Sequence, residues 1–362
     1  MLSFLLLLLA APAPASAVSL DLFSRSILGE FADVIVAKVR NDELNDPKLY
    51  PATREFGPTV INMRQLPIES EIAKSTQVPW SSWWFPRIDQ DLFNDGNRTS
   101  PLEKYDLVRS TFSAKDSRAS EIESGRWAPD APKWEGLCDA WAIASLVYPE
   151  PKKTVSYRLD GGFHRFENVR VNFSVSDQKA LLLKTMEAVP ETALKIYGQK
   201  FKGDFENWIY PDLFPQELHR FVEVQLFQKK QAFVMDHDAG VEVWNEPVYK
   251  ANYVMRAVPG RDDAIAVKLF LYSAAPLRKD EKERVGTKEI SREYNYTLYG
   301  KRDADGNLTV DSGTWEKGEL VDSRRDHPDY VFSIPNPAGI ARKSFNPDVD
   351  PATVDQIVPN RR

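Results

Sequence analysis

The stretch GLCDAWAIASLV, residues 136–147, decides how this sequence is interpreted, because it places a cysteine at the start of a helix. Small and apolar residues follow Cys138, and Pro149 and Pro151 prevent the helix from continuing. The positive end of a helix favours a thiolate, and Gly136 lets a substrate backbone approach closely. This pattern predicts a thiol nucleophile at Cys138. The alternative is a cysteine that serves only as a small buried side chain.

Composition excludes several classes of protein. Apolar residues make up 42% of the 362 residues, enough to bury a full core, so wholesale disorder is excluded. The formal net charge of -6 provides no basic surface for phosphate backbones, and we expect no nucleic-acid partner. A single cysteine excludes an intramolecular disulfide framework and zinc sites built from several cysteines. We expect neither a metal nor another cofactor.

The N-terminal residues have the pattern of a secretory signal. Residues 1–17 read MLSFLLLLLAAPAPASA, an apolar run followed by prolines and a small-residue triplet, which predicts cleavage after Ala17. The apolar run is too short for a bilayer span, which needs about 20 residues. We therefore expect a secreted protein, extracellular or periplasmic, with no membrane association after cleavage. An uncleaved N-terminal anchor is the alternative.

Changes in composition and periodicity along the chain predict five segments. The class expected from them is α+β, with a nucleophile helix packed on an antiparallel sheet and a β-rich C-terminal part. The segments are a signal peptide (1–17), an N-terminal helical or extended segment with an amphipathic helix at 20–39 (18–75), a catalytic core (76–256), a β-rich part (257–343) and an extended tail (344–362).

Periodicity and capping residues predict the elements around the nucleophile helix. Two further helices are expected, one capped by Ser100 and one over 176–188 capped by Ser176. Trp80 and Trp84 belong to an irregular aromatic segment, 76–101, which forms either a core or the wall of a groove. Strands are expected over 219–227, 232–236, 241–244, 249–255, 264–273, 293–300 and 308–315, with a hairpin turn at 303–307.

A thiol nucleophile needs a proton acceptor, and His219 fits that role best among the four histidines. His219 begins one alternating segment, and Asp236 ends the next. If the two strands pair through the Lys229-Lys230 turn, their far ends lie side by side and Asp236 can orient the imidazole. The pattern therefore predicts a triad of Cys138, His219 and Asp236.

The other three histidines fit the role of base less well. His237 follows Asp236 directly, so its side chain faces the opposite side of the strand. His164 lies in the segment GGFHRF, at a turn or strand edge. His327 precedes a proline, which favours a structural loop.

Two segments of the chain resemble motifs of a known family. The segment WEGLCDAWA, residues 134–142, with PEP at 149–151, and the segment VWNEPV, residues 243–248, are similar to motifs of the transglutaminase elicitor family, secreted enzymes best known from oomycete plant pathogens. Asp139 stands where the family usually has histidine, and Glu246 where it usually has glutamine. Weaker similarities lie at 79–86, 100–106, 177–181 and 326–329.

The resemblance implies a papain-like fold and a role for each residue of the triad. The nucleophile of the family corresponds to Cys138, its base to His219 and the third member to Asp236. The oxyanion would be held by the backbone N–H of Cys138 and by a side chain, for which Lys133 and Trp134 are candidates. Trp80 and Trp84 are candidates for the wall of a groove.

The activity implied is that of a protein-glutamine γ-glutamyltransferase, a cysteine-dependent acyltransferase. The thiolate would attack a glutamine side chain, and a lysine amine would resolve the thioester into an isopeptide cross-link. The expected partners are proteins that carry glutamine and lysine, or small amines. Two alternatives stay open: a papain-like cysteine protease or glutamine deamidase, and a secreted binding protein without catalysis.

Overall fold

The computed structural model describes residues 51–96, 98–113, 117–159, 169–198, 200 and 213–359. The signal peptide expected at 1–17 and the amphipathic helix expected at 20–39 lie outside these residues. None of the helices in the described ranges combines the length and the hydrophobicity that crossing a membrane requires.

The described ranges contain both helices and strands. The helices are α1 (Pro51–Phe56), α2 (Pro101–Phe112), α3 (Ala119–Gly125), α4 (Cys138–Val147), α5 (Val175–Met186), α6 (Pro215–Val222), α7 (Pro337–Ala341) and α8 (Pro351–Ile357). The strands are β1 (Val60–Asn62), β2 (Ile68–Glu69), β3 (Ala73–Lys74), β4 (Val155–Leu159), β5 (Val169–Phe173), β6 (Lys195–Gly198), β7 (Phe233–Asp236), β8 (Asn245–Ala257), β9 (Ala264–Ala274), β10 (Glu289–Arg302), β11 (Asn307–Trp315) and β12 (Tyr330–Ser333).

One antiparallel sheet of ten strands organises the molecule. Its strands follow the order β1-β11-β10-β9-β8-β7-β12-β6, and the short strands β2 and β3 pair with β8. The hairpin β4-β5 forms a separate two-stranded sheet. The fold is thus a mixture of helices and antiparallel sheet, as the sequence predicts.

Strands β7 and β12 separate two hydrophobic cores. Val234 and Phe332 face the core formed with α4, α5 and the aromatic segment. Phe233, Met235 and Val331 face the core formed with α6 and strands β8 to β11. Because successive residues of a strand face opposite sides, a residue's position along β7 decides which core it reaches.

Several predicted elements are confirmed. Helix α4 begins at Cys138 and ends before Pro149. Helix α2 has the predicted cap, in which Ser100 accepts from the Glu103 backbone and Glu103 accepts from the Ser100 backbone. The hairpin between β10 and β11 is also confirmed, and Gly306 adopts a φ of +87° in its turn.

The strand predicted at 219–227 is wrong. This stretch is helical: α6 ends at Val222, and a π-helix continues over Glu223–Gln228. The buried side chains Leu218, Phe221 and Val222 recur at helical spacing, and Pro215 occupies the first turn of the helix. Strand β7 is present as predicted, but it pairs with β8 and β12.

Three smaller predictions also need correction. Residues 241–244 belong to a loop, and β8 begins at Asn245. Helix α5 is capped by Ser174 rather than Ser176, because Ser174 and Asp177 form the reciprocal capping box. The tail is not fully extended, since α8 buries Val354 and Ile357 against the first core.

The main sheet crosses the segment boundaries expected from the sequence. Strand β1 pairs with β11, and β2 and β3 pair with β8, so residues 60–74 are part of the sheet. Strand β8 ends at Ala257 and pairs with β9, which lies beyond the boundary expected at residue 257. Helix α4 packs against β8 and β7 at the centre of this arrangement, which places the thiol beside the sheet.

Candidate active site

Cys138 occupies the first turn of α4, and the local sequence fixes that position. Gly136 lies so close to the aromatic segment that a Cβ there would sit 2.8 Å from Trp84 Cδ1 and 2.9 Å from Pro86 Cα. The Leu137 backbone N–H donates to the Trp84 carbonyl oxygen at 2.8 Å. Only glycine allows this close approach, so Gly136 sets where the helix begins.

The thiol is covered in this structure. Cys138 is 6% exposed, and its Sγ donates to the carbonyl oxygen of Val243 at 3.6 Å. Burial, together with the carboxylates of Asp139 and Asp236, raises the pKa of the Cys138 thiol to about 12, although a hydrogen bond from the Asn245 backbone N–H opposes the shift. The resting site therefore holds a neutral thiol at pH 7, and catalysis requires a group that takes its proton.

Three neighbouring strands place one polar side chain each beside the thiol. Asp236 on β7 lies directly opposite Asn245 on β8 and opposite Tyr330 on β12. The Tyr330 hydroxyl donates to Asn245 Oδ1 at 3.1 Å. The Asp236 carboxylate raises the pKa of Cys138, and Asp236 and Cys138 both raise that of Tyr330. We call these three residues the cross-strand row.

The carboxyl group of Asp236 has an unusual pKa. One carboxyl oxygen, Oδ1, accepts from the Trp244 backbone N–H at 2.8 Å, whereas Oδ2 is buried and finds no hydrogen-bond partner in the part of the chain that the structure describes. Burial and the nearby carboxylate of Asp329 raise the pKa of Asp236 to about 7, against the Trp244 hydrogen bond and the charge of His237. At neutral pH this carboxyl group can therefore both accept and return a proton.

His219 lies away from the thiol. Its Nδ1 is 2.6 Å from the Tyr296 hydroxyl, its Nε2 is 3.7 Å from Glu223 Oε1, and its ring packs on Tyr253. These neighbours belong to or border the second core, on the face of the sheet opposite Asp236. The structure thus brings Cys138 and Asp236 together and leaves His219 elsewhere. The expected convergence depended on the incorrect strand at 219–227.

The other histidines that the structure describes are His237 and His327. The ring of His237 lies with its Nε2 3.4 Å from Glu246 Oε1, and Glu246 is also bound by Arg292 and Ser273. His327 stacks on Trp315 at 5.1 Å, which agrees with the structural role expected from its sequence. His164 lies outside the described residues.

The candidate tryptophans separate into two groups. Trp84 contacts Trp244 with ring centroids 5.6 Å apart. The Trp84 carbonyl oxygen accepts from the Leu137 backbone N–H, next to Cys138, and Trp244 follows Val243, which accepts from the thiol. Trp80 lies at the other end of α4, where its Nε1 donates to the Tyr148 carbonyl oxygen and its own carbonyl oxygen accepts from Trp141. Trp84 is thus the one placed to wall the site, and Trp80 holds the core.

The two oxyanion candidates from the sequence lie at the surface. Lys133 is exposed, and Trp134 is half-buried with the Lys200 ammonium 5.2 Å from its ring centroid. No described contact joins either side chain to Cys138. Sequence reasoning missed Asn245 and Tyr330, although Asn245 belongs to the VWNEPV segment and Tyr330 directly follows DHPD.

These features define a thiol-centred site in which a helix N-terminus meets an antiparallel sheet. No curated protein shows significant sequence similarity to the chain. The structure is similar to the crystal structure of the GP42 transglutaminase from Phytophthora sojae, with a TM-score of 0.59 and 17% identity over 88% of this chain and 98% of that one. Residues 109–286 match the family model of the transglutaminase elicitors. That segment contains both Cys138 and Asp236, and its match supports the resemblance to the transglutaminase elicitor family.

Proposed function

We propose that this protein is a secreted protein-glutamine γ-glutamyltransferase with a papain-like catalytic core. Cys138 is the nucleophile and Asp236 is the group that moves protons. The observation that carries the proposal is the juxtaposition of a thiol at a helix N-terminus with a buried carboxyl group whose Oδ2 has no partner. The match of residues 109–286 to the family model of the transglutaminase elicitors supports the choice of reaction.

Acylation begins with transfer of the thiol proton to Asp236. The sulfur then bonds to the carbonyl carbon of a glutamine side chain, and the positive end of α4 stabilises its developing charge. Asp236 returns the proton to the amide nitrogen as the C–N bond breaks, and ammonia leaves. The product is a thioester on Cys138. A carboxyl group with a pKa of about 7 is suited to both proton transfers.

Deacylation repeats the same proton transfers with an amine. A lysine amine attacks the thioester carbon, Asp236 takes a proton from the amine nitrogen, and the thiolate leaves and recovers a proton. The result is an isopeptide bond. Water in place of the amine would give glutamate, so the Trp84–Trp244 pair has the role of excluding water from the thioester.

Access to the sulfur requires a local movement. The Val243 carbonyl accepts from Sγ, and the neighbouring Trp244 holds Asp236 through its backbone N–H. The loop at 237–244 must therefore release both groups when a glutamine side chain enters. Substrate binding that displaces Val243 also removes a competitor for the thiol proton.

Incorporation of a fluorescent primary amine into a glutamine-rich protein tests the proposal. We expect incorporation and ammonia release by the unmodified protein, and neither by Cys138→Ser. Asp236→Asn should lose about 10²–10⁴ in rate, the range typical of removing a general acid–base group. Peptide fragments without incorporation would instead indicate a protease, glutamate formation without incorporation a deamidase, and an inert thiol a binding protein.

A further inference from the structure

We propose that Asn245 and Asp236 together recognise the carboxamide of the glutamine side chain, with Asn245 Nδ2 donating to its carbonyl oxygen and Asp236 Oδ2 accepting from its NH₂ group. The proposal rests on the proposed function and names the residues that give it specificity. Two unpartnered polar atoms of the cross-strand row carry it.

The first unpartnered atom is the amide nitrogen of Asn245. Asn245 is 3% exposed, and its Oδ1 is occupied by the Tyr330 hydroxyl at 3.1 Å. Among the described residues, Nδ2 has no acceptor within hydrogen-bond distance. Nδ2 is not among the fully buried atoms that lack a partner, so this NH₂ group retains access to the site and is free to donate to a group that enters it.

The second unpartnered atom is Asp236 Oδ2, which is buried and has no hydrogen-bond partner among the described residues. Asp236 and Asn245 are directly opposite on adjacent strands. Side chains in such positions stand about 5 Å apart at Cβ, which matches the reach of two groups gripping one amide. A donor and an acceptor side by side are complementary to a primary amide, which offers one acceptor and one donor.

The position of the pair fits the chemistry at the sulfur. The Asn245 backbone N–H points to Cys138 Sγ, which places this residue next to the atom that attacks. As the C–S bond forms, electrons move to the carbonyl oxygen, where Nδ2 stabilises the charge. When the C–N bond breaks, the proton taken from the thiol passes from Asp236 to the departing nitrogen. Tyr330 is a positioning residue, because its hydroxyl holds Oδ1 and turns Nδ2 toward the substrate.

The pair also discriminates against glutamate. A carboxylate offers only acceptors, so it cannot donate to Asp236 Oδ2 and brings a second negative charge beside it. A site that hydrogen-bonds a particular group rejects analogues that lack it, because its own buried polar atoms are then left unpaired. The site should therefore prefer glutamine to its own hydrolysis product.

The kinetic test compares two reactions of Cys138. Amine incorporation into a glutamine peptide passes through an oxyanion, whereas modification by methyl methanethiosulfonate involves no carbonyl group. Asn245→Ala should lower kcat for incorporation by about 10²–10³, the usual cost of losing one oxyanion donor, and leave the modification rate within about twofold. Tyr330→Phe should lower kcat by about tenfold with the same modification rate, since it removes only the orienting hydroxyl.

The chain contains a matched control for both variants. Tyr272 donates to Asn252 Oδ1 at 3.0 Å, a similar tyrosine–asparagine pair that lies further along β8. Asn252→Ala and Tyr272→Phe should leave both rates unchanged. Two results would overturn the proposal. An unchanged kcat in Asn245→Ala would show that the side chain does not contact the substrate. A parallel fall in the rates of both reactions would show that Asn245 acts on the thiol or on the fold.

A binding measurement separates this proposal from the proposed function. In Cys138→Ser, a glutamine dipeptide should bind at least about tenfold more tightly than the glutamate dipeptide, and Asn245→Ala should abolish that ratio. If the ratio is found but amine transfer is not, the carboxamide pair stands and the transferase proposal fails. If transfer is found without the ratio, the pair fails and the transferase stands.

Discussion

At the residue scale, the proposed chemistry of the site depends on Asp236 rather than on a histidine. The buried carboxyl group shares the face of the sheet with Cys138, and its pKa of about 7 lies near neutral pH. The groups that face it are the Trp244 backbone N–H, Asp329 and Tyr330, with His237 next in the chain. Asp236 must be ionised to take the thiol proton, so its titration should control activity.

The value of kcat/KM for amine incorporation should fall about tenfold per pH unit below pH 7 and level off above it, because only ionised Asp236 accepts the proton. A pH profile with a glutamine peptide measures this. Asp329→Asn removes a carboxylate that raises the pKa of Asp236, so it should move the acidic limb to lower pH. An unmoved limb in Asp329→Asn would assign the titration to another group.

Asp236 also makes the folded protein less stable as the pH rises. Its folded-state pKa of about 7 lies above the ordinary value of 3.8, so the folded state binds more protons between these values. Ionisation should therefore cost up to about 4 kcal/mol at pH 8 and nothing below pH 3. Asp236→Asn should raise Tm at pH 8 but not at pH 3, as measured by calorimetry.

Asp322 provides the control for that measurement, because its pKa is lowered rather than raised. The Arg324 guanidinium lowers the pKa of Asp322 to about 2, so this group favours the folded state when it is ionised. Asp322→Asn should give no gain in Tm at pH 8. Equal Tm gains for the two variants would show that the effect of Asp236 is not ionisation.

His219 should be important for stability and unimportant for the thiol. His219→Ala leaves the buried Tyr296 hydroxyl without its partner and removes the imidazole beside the second core, which should lower the free energy of unfolding by about 2–4 kcal/mol. The rate of Cys138 modification by methyl methanethiosulfonate should not change under conditions where the variant is folded. Denaturant unfolding and the modification rate measure the two effects, and a large loss of thiol reactivity in the folded variant would restore His219 as the base.

At the element scale, the start of α4 is held by close packing at Gly136. A Cβ there would meet the backbone atoms Pro86 Cα and Phe85 O at 2.9 and 3.0 Å, and backbone cannot move aside as a flexible side chain can. Gly136→Ala should therefore cost about 1–3 kcal/mol of stability and displace the thiol, with a matching loss of amine incorporation.

Gly125→Ala is the matched comparison for this substitution. Gly125 ends helix α3, and a Cβ there would meet nothing within 4 Å. Urea unfolding should show no loss of stability for Gly125→Ala and a clear loss for Gly136→Ala. Similar unfolding midpoints for the two variants would mean that the aromatic segment can shift to accommodate the added Cβ without loss of stability.

The helix of the nucleophile could be predicted from sequence because its signals are local. Gly136, the small residues after Cys138 and the terminating Pro149 lie within one element, and the capping box of α2 is likewise contained in a few residues. Strand β7 and the hairpin of β10 and β11 were predictable for the same reason. The prediction that Asp236 belongs to the same site as Cys138 was based on its position at the end of β7.

The segment at 219–227 shows why the rest of the site could not be predicted from the sequence. It alternates apolar and polar residues over a short stretch, which satisfies the pattern of a strand, yet Leu218, Phe221 and Val222 also satisfy that of a helix. Tertiary packing in the second core decides between the two. Tyr330 was missed because its place beside Asp236 depends on the pairing of β12 with β7, which no local signal specifies.

At the scale of the whole molecule, residues 51–75 share the core with strands far along the chain. Ile61 on β1 is 5% exposed and packs in the second core, and β1 pairs with β11. The Glu217 carboxylate accepts from the Ala52 backbone N–H at 2.7 Å, which joins α1 to α6. Contacts of this kind indicate that residues 51–75 are an integral part of the fold. The alternative is a propeptide that inhibits the enzyme, and the rest of the chain would then stay folded when this segment is removed.

Two neighbouring residues on β1 distinguish these possibilities. Ile61→Ala should lower the free energy of unfolding by about 2–4 kcal/mol in a single transition, because it removes buried methyl groups from the second core. Val60→Ala changes a side chain that is 59% exposed and should have little effect. If residues 51–75 instead inhibited a separately stable enzyme, Ile61→Ala would raise the rate of amine incorporation without moving the main unfolding transition, and these two measurements together decide the question.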